Sequence, residues 1–308
     1  MRIFITGATG LLGRRLVADR LQRGDSLVVL SRSEAKAAKA LAPDPNSNLQ
    51  VVKGDPRRKG DWRKSINGCD AVIHLAGQPV ADRRWSRAYK QLLWDSRVLS
   101  TRRIAGAICA SHERPGVFIC ASATGYYRDT GDRPTTETGK AGRDFLARLC
   151  AAWEAESEKA WSQRTRVVRL RLGIVLDKQG GALKKMMRPF RMFVGGRLGS
   201  GQQHVPWIHW QDALGIVDLA LSDAALRGAV NATAPNPVTN KELSRAIGQA
   251  LGRPAWLPAP AFALRLALGE FADCLLTSQR VIPAAALKHG YEFRYPELKT
   301  ALDALLKN

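Results

Sequence analysis

A short apolar strand that runs without a break into three glycines constrains this chain more than any other feature. Residues Met1-Arg2-Ile3-Phe4-Ile5-Thr6 read as a buried strand, and Gly7, Gly10 and Gly13 follow at Gly-x-x-Gly-x-x-Gly spacing. A helical pattern begins at once, with Leu12, Leu16, Val17 and Leu21 on one side. Each glycine has its own task in that order of elements. Gly7 permits the tight strand-to-helix turn, Gly10 lets backbone approach a diphosphate, and Gly13 lets the helix lie close on the strand. The phosphates then rest on the free N–H groups at the helix start. The alternative is a merely tight turn; the strand–turn–helix context favours a dinucleotide site.

The second strand, Ser26-Leu27-Val28-Val29-Leu30, ends in Ser31-Arg32-Ser33. A site selective for NAD places an acidic residue near this point to accept from the ribose 2′-OH. Here a hydroxyl and a guanidinium stand instead. Both suit a 2′-phosphate, which Arg grips through two parallel hydrogen bonds. The expected cofactor is therefore NADP(H), the other reading of Arg32 being a solvated loop cation.

Composition narrows the class. With 45% hydrophobic and 24% charged residues over 308 positions, the chain is of globular type and long enough for one or two domains. No apolar run approaches the roughly 20 residues of a membrane span, and no membrane partner is expected. Cys69, Cys109, Cys120, Cys150 and Cys274 show no C-x-x-C spacing, so they read as reduced thiols. The start of the chain lacks a cleavage or transit pattern, and the expected location is the cytoplasm. A formal charge of +21 would suit nucleic acid, but the cations lie in small clusters along the whole chain. No nucleic-acid motif accompanies them. A basic surface that draws in anionic small molecules is the expectation.

Further strands are expected at Leu49–Val52, Ala71–Leu75, Val117–Cys120, Val167–Leu172 and Ala229–Ala232, with helices between. The longest helical pattern runs from about Ala88 to Ser111. Alternation of this kind specifies an α/β fold, a doubly wound parallel sheet with ligands beyond the carboxyl ends of its strands. Residues 1–233 form the expected Rossmann domain, with 181–207 contributing to the substrate side. Residues 234–308 form a small, mostly helical substrate lobe, punctuated by prolines and carrying an amphipathic core helix at Phe262–Leu268.

Several segments carry a family resemblance: Thr6–Gly13, Gly54-Asp55, His74–Gly77, Ser122–Tyr127, Arg171–Leu176 and Trp207–Asp212. The chain resembles the extended short-chain dehydrogenase/reductase superfamily of sugar-nucleotide epimerases and dehydratases. More narrowly it is similar to an atypical "epimerase family" branch of NADP-binding proteins, through Trp153-Glu154, Gly195–Gly201, Ser278–Pro283 and Gly290–Phe293. The resemblance implies that Gly7, Gly10, Leu11, Leu12 and Gly13 line the diphosphate turn. Ser31 and Arg32 would hold the 2′-phosphate, and Leu75, Ala76 and Gly77 would flank the adenosine side. Asp55, Ser122 and Arg171 join the implied cofactor contacts. Arg97 would reach the cofactor phosphates or ribose, or else serve as a helix-surface cation.

The catalytic pattern breaks. The superfamily carries Tyr-x-x-x-Lys on a helix, one turn apart on one face, so that the Lys lowers the Tyr pKa and holds the ribose. The corresponding helix, Asp144–Glu154, contains no Tyr-x-x-x-Lys and has Cys150 at the Lys position; the chain's single Tyr-x-x-x-Lys, Tyr295–Lys299, lies in the last segment, away from that helix in sequence. Ser122 remains to hydrogen-bond a substrate carbonyl. Tyr126 or Tyr127 would supply the phenol, each weighed against a packed loop aromatic. Glu137 and Asp144 read as solvated carboxylates, Cys150 and His74 as core residues. His209 and Asp212 read as a strand-end His and a helix-capping Asp, and no metal is expected. Gly180-Gly181, Gly195-Gly196 and Gly199–Gly201 flank Lys184, Lys185, Arg188 and Arg191, as in an anion-binding lid or a solvated basic helix. The resulting expectation is an NADP(H)-dependent oxidoreductase or epimerase acting on a small, anionic substrate. The alternative is a non-enzymatic NADPH sensor or scaffold. A homodimer is the candidate assembly.

Overall fold

The computed structural model describes residues 1–41 and 47–307. In chain order the first part comprises β1 (Arg2–Thr6), α1 (Leu11–Gln22), β2 (Ser26–Ser31), α2 (Glu34–Leu41), β3 (Leu49–Lys53), β4 (Ala71–His74), α3 (Arg87–Trp94), α4 (Ser100–Cys109), β5 (Val117–Ala123), α5 (Phe145–Glu158) and β6 (Arg166–Leu172). It continues with β7 (Ile174–Leu176), α6 (Gly181–Arg191), β8 (His204–Val205), β9 (Trp207–His209), α7 (Trp210–Ser222) and β10 (Gly228–Ala232). The last part holds β11 (Val238–Thr239), α8 (Asn240–Leu251), α9 (Ala261–Leu268), α10 (Phe271–Leu276), α11 (Ala284–Lys288) and α12 (Leu298–Leu306).

Seven strands form one parallel sheet in the order β10-β6-β5-β4-β1-β2-β3. The expected α/β class and parallel sheet are those observed. Successive strand residues point to opposite faces, and both faces are covered, so the strands are apolar throughout. Ile3, Ile5, Leu27, Val29, Ile73 and Ile119 pack with Leu16 and Val17 of α1 and with α7. Phe4, Val28, Val72, Phe118 and Cys120 pack on the other side with α4, α5 and Trp62. The strand order reverses between β1 and β4, which opens a crevice there.

The long helical pattern forms as α3 and α4 joined by a π-turn over Asp95–Leu99. Ser86 starts α3 by accepting from the Tyr89 N–H at 3.1 Å. A smaller core gathers Leu183, Met187 and Phe190 of α6, Leu243 and Ile247 of α8, and Leu298, Leu302 and Leu305 of α12. Residues 281–293 return to the large sheet, where Ala286 of α11 joins its core. The helix at Ala261–Leu268 forms, yet buries no residue; Phe262 and Leu266 are 73% and 76% exposed. The expected core helix is thus a surface helix: its periodicity is right, but among the described residues nothing buries Phe262 or Leu266.

Candidate cofactor and active site

The crevice between β1 and β4 is shaped by backbone. Gly7 has φ +76°, and a Cβ on it would lie 2.6 Å from the Ala76 nitrogen and the Leu75 carbonyl carbon. A Cβ on Gly13 would lie 2.2 Å from the Gly7 carbonyl oxygen. Gly7 and Gly13 are therefore required by contact, because real Cβ atoms do not approach so closely. Gly10 starts α1 with no side-chain cap. The helix thus begins with its first N–H groups, among them those of Leu11 and Leu12, available to an anion. This cradle fits the diphosphate of a dinucleotide.

Below the cradle His74 is fully buried between Thr6 and Ser100. Its Nδ1 lies 2.5 Å from Thr6 Oγ1 and its Nε2 3.1 Å from Ser100 Oγ. The Ser100 hydroxyl donates to the Ser96 carbonyl at 2.7 Å, so Nε2 carries the ring hydrogen and Nδ1 accepts from Thr6. Burial pushes its pKa down to about 3, which keeps the ring neutral. It is a satisfied core residue.

At the adenosine end, Ser31 donates to the Ser33 carbonyl at 2.9 Å and shapes the turn that leaves Arg32 exposed. Asp55 accepts from three Arg57 donors: the backbone N–H at 2.9 Å, Nε at 3.0 Å and Nη2 at 2.6 Å. Burial works against the Asp55 charge, but Arg57, with Arg32 nearby, holds its carboxyl below the usual range. Asp55 thus anchors Arg57. A cavity of about 620 Å³ opens beside it, lined in part by Glu34, Gly54, Asp55, Arg58 and Trp62.

The β5–α5 end is a closed network. Ser122 donates to Glu154 Oε1 at 2.6 Å, and Arg171 meets the same carboxylate through Nε at 2.8 Å and Nη2 at 2.9 Å. Arg171 Nη1 also donates to Tyr127 Oη at 2.9 Å and to the Glu137 carbonyl at 3.0 Å. Tyr127 in turn donates to Asn231 Oδ1 at 2.6 Å. Burial works against the Arg171 charge, yet Glu154 holds its pKa well above the ordinary value. Burial pushes Tyr127 up to about 12. Two expectations need correction here. Arg171 spends its hydrogen bonds inside the protein, on Glu154, Tyr127 and the Glu137 carbonyl, and Tyr127, 1% exposed, is a core phenol. Tyr126 is half-buried, with the Arg171 guanidinium stacked 3.6 Å from its ring centre and the Tyr127 ring edge-on at 5.5 Å. Leu146 and Cys150 pack near Gly125, where a Cβ would lie 3.5 Å from Leu146 Cβ and 3.9 Å from Cys150 Sγ. Burial raises the Cys150 thiol to about 12, as suits a core cysteine.

Other expectations shift as well. Glu137 is no solvated carboxylate: its Oε1 accepts from the Asn231 N–H at 2.9 Å and the Ala285 N–H at 3.1 Å. Asp144 is exposed, as expected, and also caps α5 by accepting from the Ala147 N–H at 2.9 Å. His209, not Asp212, caps α7, its Nδ1 accepting from the Gln211 N–H at 3.2 Å. Asp212 is buried and accepts from the N–H groups of Arg294 at 2.7 Å and Tyr295 at 3.0 Å, tying the last segment down. Asp177, fully buried, accepts from Arg15 Nε at 3.1 Å and joins α1 to the loop before α6. Gly195 and Gly196 serve close packing, with Cβ positions 2.3 Å from Phe190 and 2.0 Å from the Leu257 carbonyl oxygen. Lys184, Arg188 and Arg191 point to solvent, while Lys185 bonds the Ala81 carbonyl at 3.0 Å and Asp82 at 3.1 Å.

The model of the NAD dependent epimerase/dehydratase family matches residues 3–232. This chain belongs to that family. A domain of unknown function (DUF1731) matches residues 259–305. The chain is 38% identical to the Arabidopsis thaliana "Epimerase family protein SDR39U1 homolog, chloroplastic", over all of this chain and 87% of the relative. The human epimerase family protein SDR39U1 (isoform 2), solved with NADPH, is 32% identical with a TM-score of 0.86, each chain being covered completely. A nucleoside-diphosphate sugar epimerase from Corynebacterium glutamicum is 31% identical with a TM-score of 0.78, over 99% of this chain and 58% of that one. Among the described residues no helix is long and apolar enough to cross a membrane.

Proposed function

We propose that this member of the NAD-dependent epimerase/dehydratase family binds NADP(H) and acts as an oxidoreductase on a small, anionic hydroxyl or carbonyl substrate. The observation that carries the reading is the Gly7–Gly13 cradle facing Leu75 and Ala76, with exposed Arg32 at the end of β2. The similar human protein was solved with NADPH, which supports the phosphorylated cofactor. When bound, the cofactor supplies or accepts a hydride at nicotinamide C4.

The chain's own part is to bind, orient and hold protons. Ser122, 2% exposed, has its proton committed to Glu154, so it is not the donor to a substrate carbonyl that the sequence leads one to expect. Tyr126 is the phenol left to exchange a proton with the substrate. A second reading, NADP(H) binding without turnover, is favoured by the apolar Leu146 and buried Cys150 where the family's Tyr and Lys stand.

Calorimetric titration of the purified protein tests the first step. NADPH is expected to bind, and NADH more weakly; no heat from either at millimolar concentration ends the proposal. Hydride exchange that disappears in Tyr126→Phe, with NADPH binding intact, supports the enzyme. Tight binding with no exchange across hydroxyl and carbonyl panels supports the sensor.

A further inference from the structure

We propose that the cavity between α3 and the start of α5 is a binding site for a small planar aromatic anion, a ring system carrying a phosphate or a carboxylate. None of its lining residues belongs to the glycine cradle or to the Ser122–Arg171 network.

The cavity measures about 350 Å³, and Trp85, Trp94 and Phe145 line it together with Arg87, Lys90 and Gln91. That is room for one small ligand, at the lower end of the usual range. Arg87, Lys90, Gln91 and Trp94 follow one another at i, i+3, i+4 and i+7 along α3. The helix therefore turns one face to the cavity while Tyr89 and Leu93 enter the core. The aromatic walls are fixed in place. Trp85 Nε1 donates to the Val80 carbonyl at 2.9 Å, with the Phe145 ring edge-on at 5.3 Å and Phe271 of α10 at 5.7 Å. Trp94 packs against the core of the sheet and also borders the cavity. Walls of this kind take the face or edge of another ring at little cost in side-chain freedom.

The two cations of the cavity are not alike. Lys90 is paired with Glu270 and lies 5.1 Å from the centre of the Phe145 ring. Arg87 is exposed and, among the described residues, makes no hydrogen bond or ion pair. It is also the first residue of α3, whose first turn holds no acidic side chain. A cation at the positive end of a helix is repelled by the helix dipole, and an anion in front of it relieves that repulsion. Aromatic walls beside an uncompensated guanidinium thus select a ring and a negative charge in one molecule.

Calorimetric titration of the full chain, with and without excess NADPH, uses three probes: 2-naphthyl phosphate, 2-naphthol and inorganic phosphate. The aryl phosphate should bind, and the ring alone and the charge alone at least about tenfold more weakly. Arg87→Ala should raise the aryl phosphate Kd about 3- to 10-fold, a modest effect because solvent screens an exposed charge. Trp94→Leu should raise it about 10-fold through lost stacking. No binding of the aryl phosphate, or a Kd that either substitution leaves unchanged, overturns the proposal. So does 2-naphthol that binds as tightly as its phosphate. Heat that NADPH leaves unchanged supports the separate site, whereas heat that NADPH abolishes places the probe in the crevice and overturns it. Should Trp94→Leu lose its cooperative melt, Arg87→Glu takes its place, and affinity kept against the reversed charge overturns the proposal.

Discussion

At the β1–α1 end of the crevice the constraints are made of backbone; at the β5–α5 end they are made of charged side chains. Gly7 and Gly13 tolerate no side chain because carbonyl and amide atoms occupy the space. That leaves amides bare for a diphosphate. Ser122, Glu154, Arg171, Tyr127 and Asn231 instead satisfy one another in a closed, buried chain. The first arrangement is incomplete without a ligand, whereas the second is complete already. The difference teaches that the cradle is shaped by the fold itself, and that Ser122, Glu154, Arg171, Tyr127 and Asn231 chiefly hold β5, α5, β6 and β10 together.

The largest effect expected from that comparison is on stability. Glu154→Ala strips the buried Arg171 of its carboxylate and Ser122 of its acceptor. Removing one partner of a buried pair costs about 3–5 kcal/mol, because the remaining charge stays desolvated. Denaturant unfolding should show a loss of that size. A loss below ~1 kcal/mol would mean that water reaches the network, and the contrast between the two ends would fall.

What was legible in the sequence follows the same divide. The glycine turn could be read because its requirements act over three to six residues and depend on backbone alone. The sheet could be read because strands covered on both faces carry continuous apolar runs. The side-chain network could not, since Ser122 and Glu154 stand 32 residues apart and Arg171 lies 17 beyond Glu154. Tyr126 and Tyr127 are indistinguishable by type, yet the short 3-10 turn over Thr124–Tyr126 sends adjacent side chains in different directions. One remains half-exposed under Arg171, and the other enters the core. Asp212 sits where a capping residue belongs, and only the fold shows that the backbone of Arg294 and Tyr295 claims it.

A smaller effect should sharpen the cofactor end. Arg32→Ala removes an exposed guanidinium that makes no hydrogen bond among the described residues, so folding should be unaffected. NADPH binding should weaken by about 1–3 kcal/mol, with NADH nearly unchanged. Competition between the two cofactors in one titration measures the ratio directly. Equal losses would remove Arg32 from the 2′-phosphate and leave Arg57 as the guanidinium nearest that role.

The smallest effect concerns the surface that belongs to neither end. Phe262 and Leu266 lie one turn apart on α9 and are mostly exposed, although the helix has the pattern of one that packs. Phe118, fully buried in the sheet, is the natural control. Phe118→Ala should cost about 3–5 kcal/mol through lost burial and the cavity left behind. Phe262→Ser removes little buried area, and surface substitutions usually stay within about 0.5 kcal/mol. Thermal melts of the two variants at one protein concentration separate the cases. A Phe262→Ser melt that falls as far as that of Phe118→Ala would mean that α9 is covered in solution. A drop that grows on dilution would identify the cover as a second copy of the chain, since stability gained from association depends on concentration.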